Sequence, residues 1–232
     1  MRDRATVPAA GQPATRISTV LTIMAVLTTA AMVTASLARR GDIARPLAVT
    51  ASTCFVLIAV VGGGLRFNYG RWVLLALGLC WLGDVIGPGN FMAGLVAFLL
   101  AHFAFMGAFY TRGLATAKAL WALAVVLAAS AGALHWLLPH VAGNDKVLVA
   151  AYAGAIGLMV VFAGGACHGR AGRLSLIAAV VFYVSDLFVA RWRFVSPGRI
   201  NALFCYPLYY SACILFAHTV LLERARKPSP RP

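Results

Sequence analysis

Long apolar segments, separated by short polar or basic stretches, repeat along almost the whole chain. Apolar segments of about 18 residues or more have the length of helices that cross a lipid bilayer. We delimit eight of them, at residues 17–37, 47–64, 72–88, 91–110, 119–138, 147–166, 174–191 and 201–222. The pattern therefore predicts an all-α integral membrane bundle of about eight transmembrane helices.

Only the four residues Gly87 to Asn90, with the sequence GPGN, divide the third segment from the fourth. Read as one helix, residues 72–110 would be about 58 Å long at 1.5 Å per residue, which far exceeds the thickness of a hydrocarbon core. Gly-Pro-Gly is also a strong helix breaker. We therefore predict two spans that are joined by a tight turn.

The composition agrees with a membrane protein and excludes a soluble domain. Hydrophobic residues make up 62% of the 232 residues and charged residues only 11%. The net charge of +14 does not indicate a nucleic-acid-binding protein, because the basic residues lie between apolar segments and form no single patch. We expect one transmembrane domain at residues 17–222, with polar, disordered tails at 1–16 and 223–232.

The positions of the basic residues predict the orientation in the membrane. With eight spans, the tails and even-numbered loops contain 13 of the lysines and arginines, against 7 in the odd-numbered loops. The positive-inside rule then places both termini in the cytoplasm. The Ala-, Arg- and Gly-rich composition is typical of a bacterial plasma membrane protein.

The five cysteines are scattered and have neither zinc-site nor redox-motif spacing. We therefore interpret most of them as small apolar packing residues. No other cluster in the sequence suggests a bound ion, so we expect neither a metal nor a cofactor.

Two acidic residues, Asp84 and Asp186, fall inside predicted spans, and such residues usually mark a functional site or a polar pair. Each lies 12 residues into its segment, about 18 Å from the cytoplasmic boundary. His102, Tyr209 and Tyr210 are predicted at a similar depth, so all five side chains could meet in one layer. The offset of 102 residues between the aspartates also suggests two related four-helix halves in parallel orientation.

A purely structural interpretation is the alternative for each of these residues. The carboxyl groups could bond to Tyr, Ser185 or His and hold the bundle together. The tyrosines could cap a buried network, and His102 could be a structural histidine. Arg191 and Arg193 would by default anchor the seventh span at the headgroup level, or else contact a lipid phosphate.

The segment GLCWLGDVIGPGNFMAGLVAFLLAHFAFM, from Gly78 to Met106, resembles the YhhN-type family of membrane proteins that includes the lysoplasmalogenases. The matching motifs are Gly83-Asp84, Phe-x-x-Gly-Leu from Phe91, and Phe-Leu-x-x-His from Phe98 to His102. Ser185-Asp186, followed by RWRF, and Tyr209-Tyr210 match further motifs of the family. The resemblance covers most of the chain in helix order.

The resemblance implies hydrolysis of the vinyl ether bond of a lysoplasmalogen, an alkenyl-glycerophosphocholine or -ethanolamine, to a fatty aldehyde and a glycerophospho-base. Such a reaction needs a protonated carboxylic acid and a second carboxylate, as in glycosidases. The residues expected to be catalytic are Asp84, Asp186 and His102. Those expected to contact the lysophospholipid are Tyr209, Tyr210, Ser185, Phe98, Arg191 and Arg193.

Two other functions fit the same residues. A proton-coupled small-molecule transporter could use the aspartate pair and His102 as a relay. Against this, the Gly-rich breaks fall at span ends and the suspected repeat is parallel, whereas transporters often have inverted repeats and helices broken at mid-membrane. A lipid-binding or scaffold protein without catalysis is the third interpretation. The sequence leaves open which aspartate is the acid, which headgroup is bound and which oligomer forms.

Overall fold

A computed structural model describes residues 12–226, which form eight long α-helices. The helices are α1 (Gln12–Leu37), α2 (Gly41–Val61), α3 (Asn68–Ile86), α4 (Phe91–Tyr110), α5 (Thr116–Leu137), α6 (Lys146–Gly165), α7 (Gly169–Ala190) and α8 (Ile200–Arg226). Each helix is long and apolar enough to cross a membrane. The predicted all-α bundle of eight spans is thus confirmed.

Several helices extend beyond the apolar segments that predicted them. Helix α1 begins at Gln12, so residues 12–16 of the predicted tail are helical, and α8 continues to Arg226. Helix α2 begins at Gly41 and includes Pro46. Hydropathy marks the part of a helix that lies in hydrocarbon, whereas polar end residues continue the helix in the headgroup region. The rest of the predicted disordered tails, residues 1–11 and 227–232, lies outside the described residues.

The predicted tight turn joins α3 to α4 as a close helical hairpin. The Asn90 side chain caps α4 by accepting a hydrogen bond from the Ala93 amide at 3.1 Å. A Cβ on Gly94 would lie 2.7 Å from the Cα of Gly87, so the two backbones touch at that level. A Cβ on Gly83 would likewise lie 2.8 Å from the Phe98 ring. These two contacts fix the register of the hairpin.

Helix α8 is the most buried of the eight spans, and α5 is the least buried. The pairs of packed helices follow a repeating scheme: α2 contacts α1, α3 and α8, and α6 contacts α5, α7 and α4. In this comparison α5, α6 and α7 correspond to α1, α2 and α3, and the last helix of one half, α8, corresponds to the last helix of the other half, α4. These contacts match the prediction of two related four-helix halves in part, because the contacts of α8 with α1 and α3 have no counterpart of similar extent between α4 and α5 or α7 in the described structure. The repeat therefore stays a prediction.

The two ends of the bundle are distinguished below as the hairpin end, which holds the α3–α4 turn, and the terminal end, where α8 finishes. At the terminal end, Arg112 at the end of α4 forms an ion pair with Glu223 of α8. The Arg112 side chain is 1% exposed and the Glu223 side chain 9%. Glu223 is the first residue of the tail predicted at 223–232, where a solvated charge is expected by default. That expectation is wrong, because α8 continues past the apolar segment and turns this carboxylate inward.

Candidate functional site

Asp84, near the end of α3, accepts hydrogen bonds from hydroxyl groups on two other helices. Tyr209 of α8 donates to Oδ2 of Asp84 at 3.0 Å, and Tyr210 lies 3.3 Å from the same oxygen. Ser52 of α2 also donates to this oxygen. Ser52 and Tyr210 reach the Ala48 carbonyl as well, so Tyr209 is the donor whose hydroxyl is committed to the carboxyl group.

Asp186, on α7, has a smaller set of partners. Tyr152 of α6 donates to Oδ2 of Asp186 at 3.0 Å. Nε2 of His102, on α4, lies 3.7 Å from the same oxygen. The His102 side chain is fully buried, with an edge-to-face contact to Tyr152 at 5.3 Å. Among the residues that the structure describes, neither of its ring nitrogens has a hydrogen bond of normal geometry, although the Phe98 backbone lies beside the ring.

The two aspartates occupy corresponding positions in the two sets of four helices, α1–α4 and α5–α8, with different neighbours. Each carboxyl group is contacted by a hydroxyl from the second helix of its own half, Ser52 on α2 or Tyr152 on α6. Each is also contacted from the last helix of the other half, by Tyr209 on α8 or by His102 on α4. The chemistry differs between the halves, since Asp84 has three hydroxyl neighbours whereas Asp186 has one hydroxyl and an imidazole.

An aromatic ring connects the two clusters. The Phe182 ring contacts Tyr209 at 5.4 Å and His102 at 5.1 Å between ring centroids. The predicted residues Asp84, Asp186, His102, Tyr209 and Tyr210 therefore belong to one continuous buried region that draws on both halves of the bundle.

The carboxyl groups in this region are suited to proton transfer. The Asp186 side chain keeps 14% of its exposure, while the adjacent His102 side chain has none. A carboxyl group packed among apolar rings can act either as a proton donor or as a proton acceptor. Acid–base chemistry on a bound molecule is what such an arrangement can perform.

Besides Tyr209 and Tyr210, two more of the residues expected to contact substrate lie inside the site. Phe98 packs edge-to-face on Tyr209 at 5.6 Å and fills the space above Gly83. Ser185 is fully buried, and its hydroxyl has no hydrogen-bond partner among the residues that the structure describes. Phe98 thus shapes the Asp84 cluster, whereas Ser185 is adjacent in sequence to Asp186 without bonding to its carboxyl group.

Arg191 and Arg193 lie beyond the end of α7, in a single π-helical turn at Arg191–Val195. The Arg191 guanidinium donates to the Asn201 side chain, which is buried and in turn donates to the carbonyls of Ser196 and Gly198. Arg191 therefore secures the loop before α8. The Arg193 guanidinium instead stacks on the Phe91 ring at 5.1 Å, at the hairpin end of the bundle.

Sequence reasoning missed two residues of the site, Ser52 and Tyr152. Neither has an acidic or histidine neighbour in sequence to attract attention, and Ser52 is one of three hydroxyl residues in its segment, with Thr50 and Thr53. The 102-residue offset relates Ser52 to Gly154, so it does not point to Tyr152 either.

Comparison with known proteins identifies relatives of the chain. The model of the YhhN family matches residues 45–220. Curated proteins named lysoplasmalogenase, from Mycobacterium bovis and Mycobacterium tuberculosis, are each 32% identical over 154 residues, or 61% of this chain. The matched part is 56% of each relative, so the chain spans about half the length of the curated relatives. No solved structure matches the chain.

Proposed function

The chain belongs to the YhhN family, and on that premise we propose that it is a membrane-embedded, lysoplasmalogenase-like hydrolase. Its substrate would be a lysoplasmalogen with a choline or ethanolamine headgroup, and its products a fatty aldehyde and a glycerophospho-base. Family membership and the two relatives named lysoplasmalogenase support this class of reaction.

The observation that carries the proposal is the pair of intramembrane carboxyl groups in unequal surroundings. Asp84 is surrounded by three hydroxyl groups, an arrangement that suits a carboxylate because an ionised acid only accepts hydrogen bonds. Asp186 has one hydroxyl donor and faces a histidine nitrogen, which leaves room for a proton on the acid. We therefore assign Asp186 as the general acid and Asp84 as the carboxylate.

The hydrolysis then proceeds through proton transfers between these two groups and the lipid. Asp186 donates its proton to the vinyl carbon that is not bonded to the ether oxygen, and an oxocarbenium ion forms at the other vinyl carbon. The Asp84 carboxylate steadies this cation and takes a proton from the attacking water, which gives a hemiacetal. Collapse of the hemiacetal returns its hydroxyl proton to Asp186, while the proton on Asp84 goes to the departing glycerol oxygen. One water is consumed, and both carboxyl groups return to their starting states.

The neighbouring side chains have positioning roles in this scheme. Tyr209 and Ser52 hold the Asp84 carboxylate, and Tyr152 holds the Asp186 carboxyl group. His102, beside Asp186, orients the acid or the water near it. A single positioned acid contributes about 10²–10⁴-fold to a rate, so loss of either aspartate is expected to be severe.

The test is a substrate panel in which only the bond to glycerol varies. The purified protein in nanodiscs is given vinyl-ether, saturated-ether and acyl forms of one lysophosphoethanolamine, and aldehyde and fatty acid are measured. The proposal expects aldehyde from the vinyl ether alone. Turnover in deuterium oxide should place one deuterium on the carbon next to the aldehyde carbon. Fatty acid from the acyl form, or no product from any of them, would contradict the proposal.

A further inference from the structure

We propose that the Arg193 guanidinium, held on the Phe91 ring at the hairpin end, is the binding site for the phosphate group of the lysolipid. This inference rests on the proposed function and names the group by which the site recognises a phospholipid. Three features support it. Arg193 lies about two helical turns nearer the hairpin end than Asp186, which we call its height above the aspartate. Its guanidinium has no polar partner in the described structure, and it rests on an aromatic ring.

The first argument is the position of Arg193 relative to Asp186. The two residues are seven positions apart, which is about two helical turns and about 10 Å along α7. After two turns a side chain returns to nearly the same face of the helix. A π-helix turns slightly less per residue than an α-helix, and of residues 186–193 only Arg191 to Arg193 belong to the π-helical turn, so the direction of the side chain shifts by less than about a quarter of a turn. Arg193 therefore lies on the side of α7 that carries Asp186, nearer the hairpin end.

The second argument is the position of Phe91 relative to Asp84, which the hairpin register fixes. Gly83 lies opposite Phe98, and Gly87 lies opposite Gly94, so Asp84 is level with residue 97 of α4. Phe91 is six residues nearer the hairpin end, or about 9 Å. The guanidinium that rests on Phe91 at 5.1 Å is therefore at almost the same height above Asp84 as above Asp186.

This height matches the geometry of a lysoplasmalogen. The glycerol carbons and one ester oxygen separate the vinyl ether oxygen from phosphorus, a span of roughly 5–6 Å for bonds of about 1.5 Å. A guanidinium carbon lies roughly 4 Å from a phosphorus atom when its N–H groups donate to the phosphate oxygens. With the vinyl ether between the aspartates, the phosphate would thus come within reach of Arg193.

The third argument is that Arg193 has no polar partner of its own within the part of the chain that the structure describes. Its guanidinium contacts only the rings of Phe91 and Phe194, at 5.1 and 5.9 Å. Two other arginines near this end are already engaged, since Arg191 donates to Asn201 and Arg199 to the Leu37 carbonyl. A guanidinium that lies over an aromatic ring makes no hydrogen bond to it, so the N–H groups of Arg193 stay available to a phosphate.

The competing interpretation is that Arg193 only anchors α7 among the headgroups, as basic residues at span ends commonly do. An anchor would not distinguish one bound lipid from another, whereas a phosphate site would. The probes are therefore two saturated-ether ligands with the same chain, one an alkyl-lysophosphoethanolamine and the other an alkylglycerol without phosphate. Neither has a vinyl ether bond, so binding is measured without any turnover.

Binding of both probes is measured for the parent protein, R193A, R193K and the control variant R45A in a neutral detergent. Arg45 is an exposed arginine at the same end of the bundle. R193A should bind the phosphate probe at least tenfold more weakly and the alkylglycerol equally well, with R193K intermediate and R45A unchanged. Equal binding of the phosphate probe by R193A and the parent would overturn the proposal. So would an equal loss for both probes, which would indicate a structural role for Arg193.

The outcome is separable from that of the proposed function. If the protein binds the phosphate probe through Arg193 but releases no aldehyde, the phosphate site is supported and the hydrolase proposal is contradicted. If the parent protein releases aldehyde, and R193A has the same KM and binds both probes equally well, the hydrolase proposal is supported and the phosphate site is contradicted.

Discussion

Nε2 of His102 lies 3.7 Å from Oδ2 of Asp186, too far for a direct hydrogen bond, although His102 is fully buried. A buried polar atom without a partner costs about 1–3 kcal/mol of stability, so a histidine with a purely structural role would be poorly placed here. His102 is therefore better explained as a group that acts on a bound molecule beside Asp186 than as a structural hydrogen-bonding group.

The replacement H102F should therefore separate activity from stability. Phenylalanine fills a similar space among the Phe182 and Tyr152 rings and removes both buried ring nitrogens. We expect the melting temperature to stay equal or rise, while aldehyde release falls by about 10²-fold or more. A large fall in melting temperature with normal turnover in the folded fraction would assign His102 a structural role.

The replacement Y152F tests the hydroxyl that bonds to Asp186. Without this donor the carboxyl group loses its fixed orientation, and we expect kcat to fall by about 10-fold or more, against a single general acid's contribution of about 10²–10⁴. Y183F is the matched control, because Tyr183 loses a similar hydroxyl bond, to Ser130 at 2.9 Å, on the helix that carries Asp186. Equal kcat values for Y152F and Y183F would show that the Asp186 bond has no special role.

The replacement G94A tests the close approach of α3 and α4. A methyl group there would meet the Gly87 backbone at 2.7 Å, and overpacking of this kind costs about 1–3 kcal/mol. Because the hairpin also positions Asp84, we expect lower thermal stability together with lower turnover. G78A is the control on α3, since a Cβ at Gly78 meets nothing within 4 Å. A G94A protein as stable and active as G78A would mean that the hairpin tolerates separation.

The replacement E223A tests the ion pair at the terminal end. It leaves the Arg112 charge buried and uncompensated, which costs about 3–5 kcal/mol, so the melting temperature should fall clearly. R226A should have little effect, because Arg226 is 60% exposed and lies 3.6 Å from the other Glu223 oxygen. Chemical denaturation of the three proteins measures the difference. Similar stabilities for E223A and R226A would contradict the structural importance assigned to this pair.

The parts of the fold that depend on hydropathy were predictable from the sequence, and the parts that depend on packing were not. Apolar length gave the eight spans, and the breaker at Gly87 to Asn90 gave the α3–α4 hairpin. Asp84 and Asp186 were recognisable because a carboxyl group in hydrocarbon is costly. Ser52 and Tyr152 were not, because a hydroxyl in a membrane helix is common and only its partner across the bundle reveals its role.

Glu223 and Arg191 are two charged residues whose partners could not be predicted from the sequence. Both have charges near span ends, where the sequence favours a solvated or lipid-facing side chain. The structure pairs Glu223 with Arg112 and Arg191 with Asn201, and in each case the partner lies on another segment. Residue type and depth alone do not distinguish a charge that faces lipid from one that faces a partner.

The most direct test of the account is aldehyde release from a vinyl-ether lysophospholipid by D84N and D186N, each compared with the parent and with Y183F at matched amounts of folded protein. Asparagine keeps the shape of each side chain but cannot exchange the proton. The account predicts that both asparagine variants lose about 10²-fold or more of the rate, while Y183F keeps it. Release of aldehyde at the parental rate by either folded asparagine variant would contradict the claim that the two carboxyl groups carry out the hydrolysis.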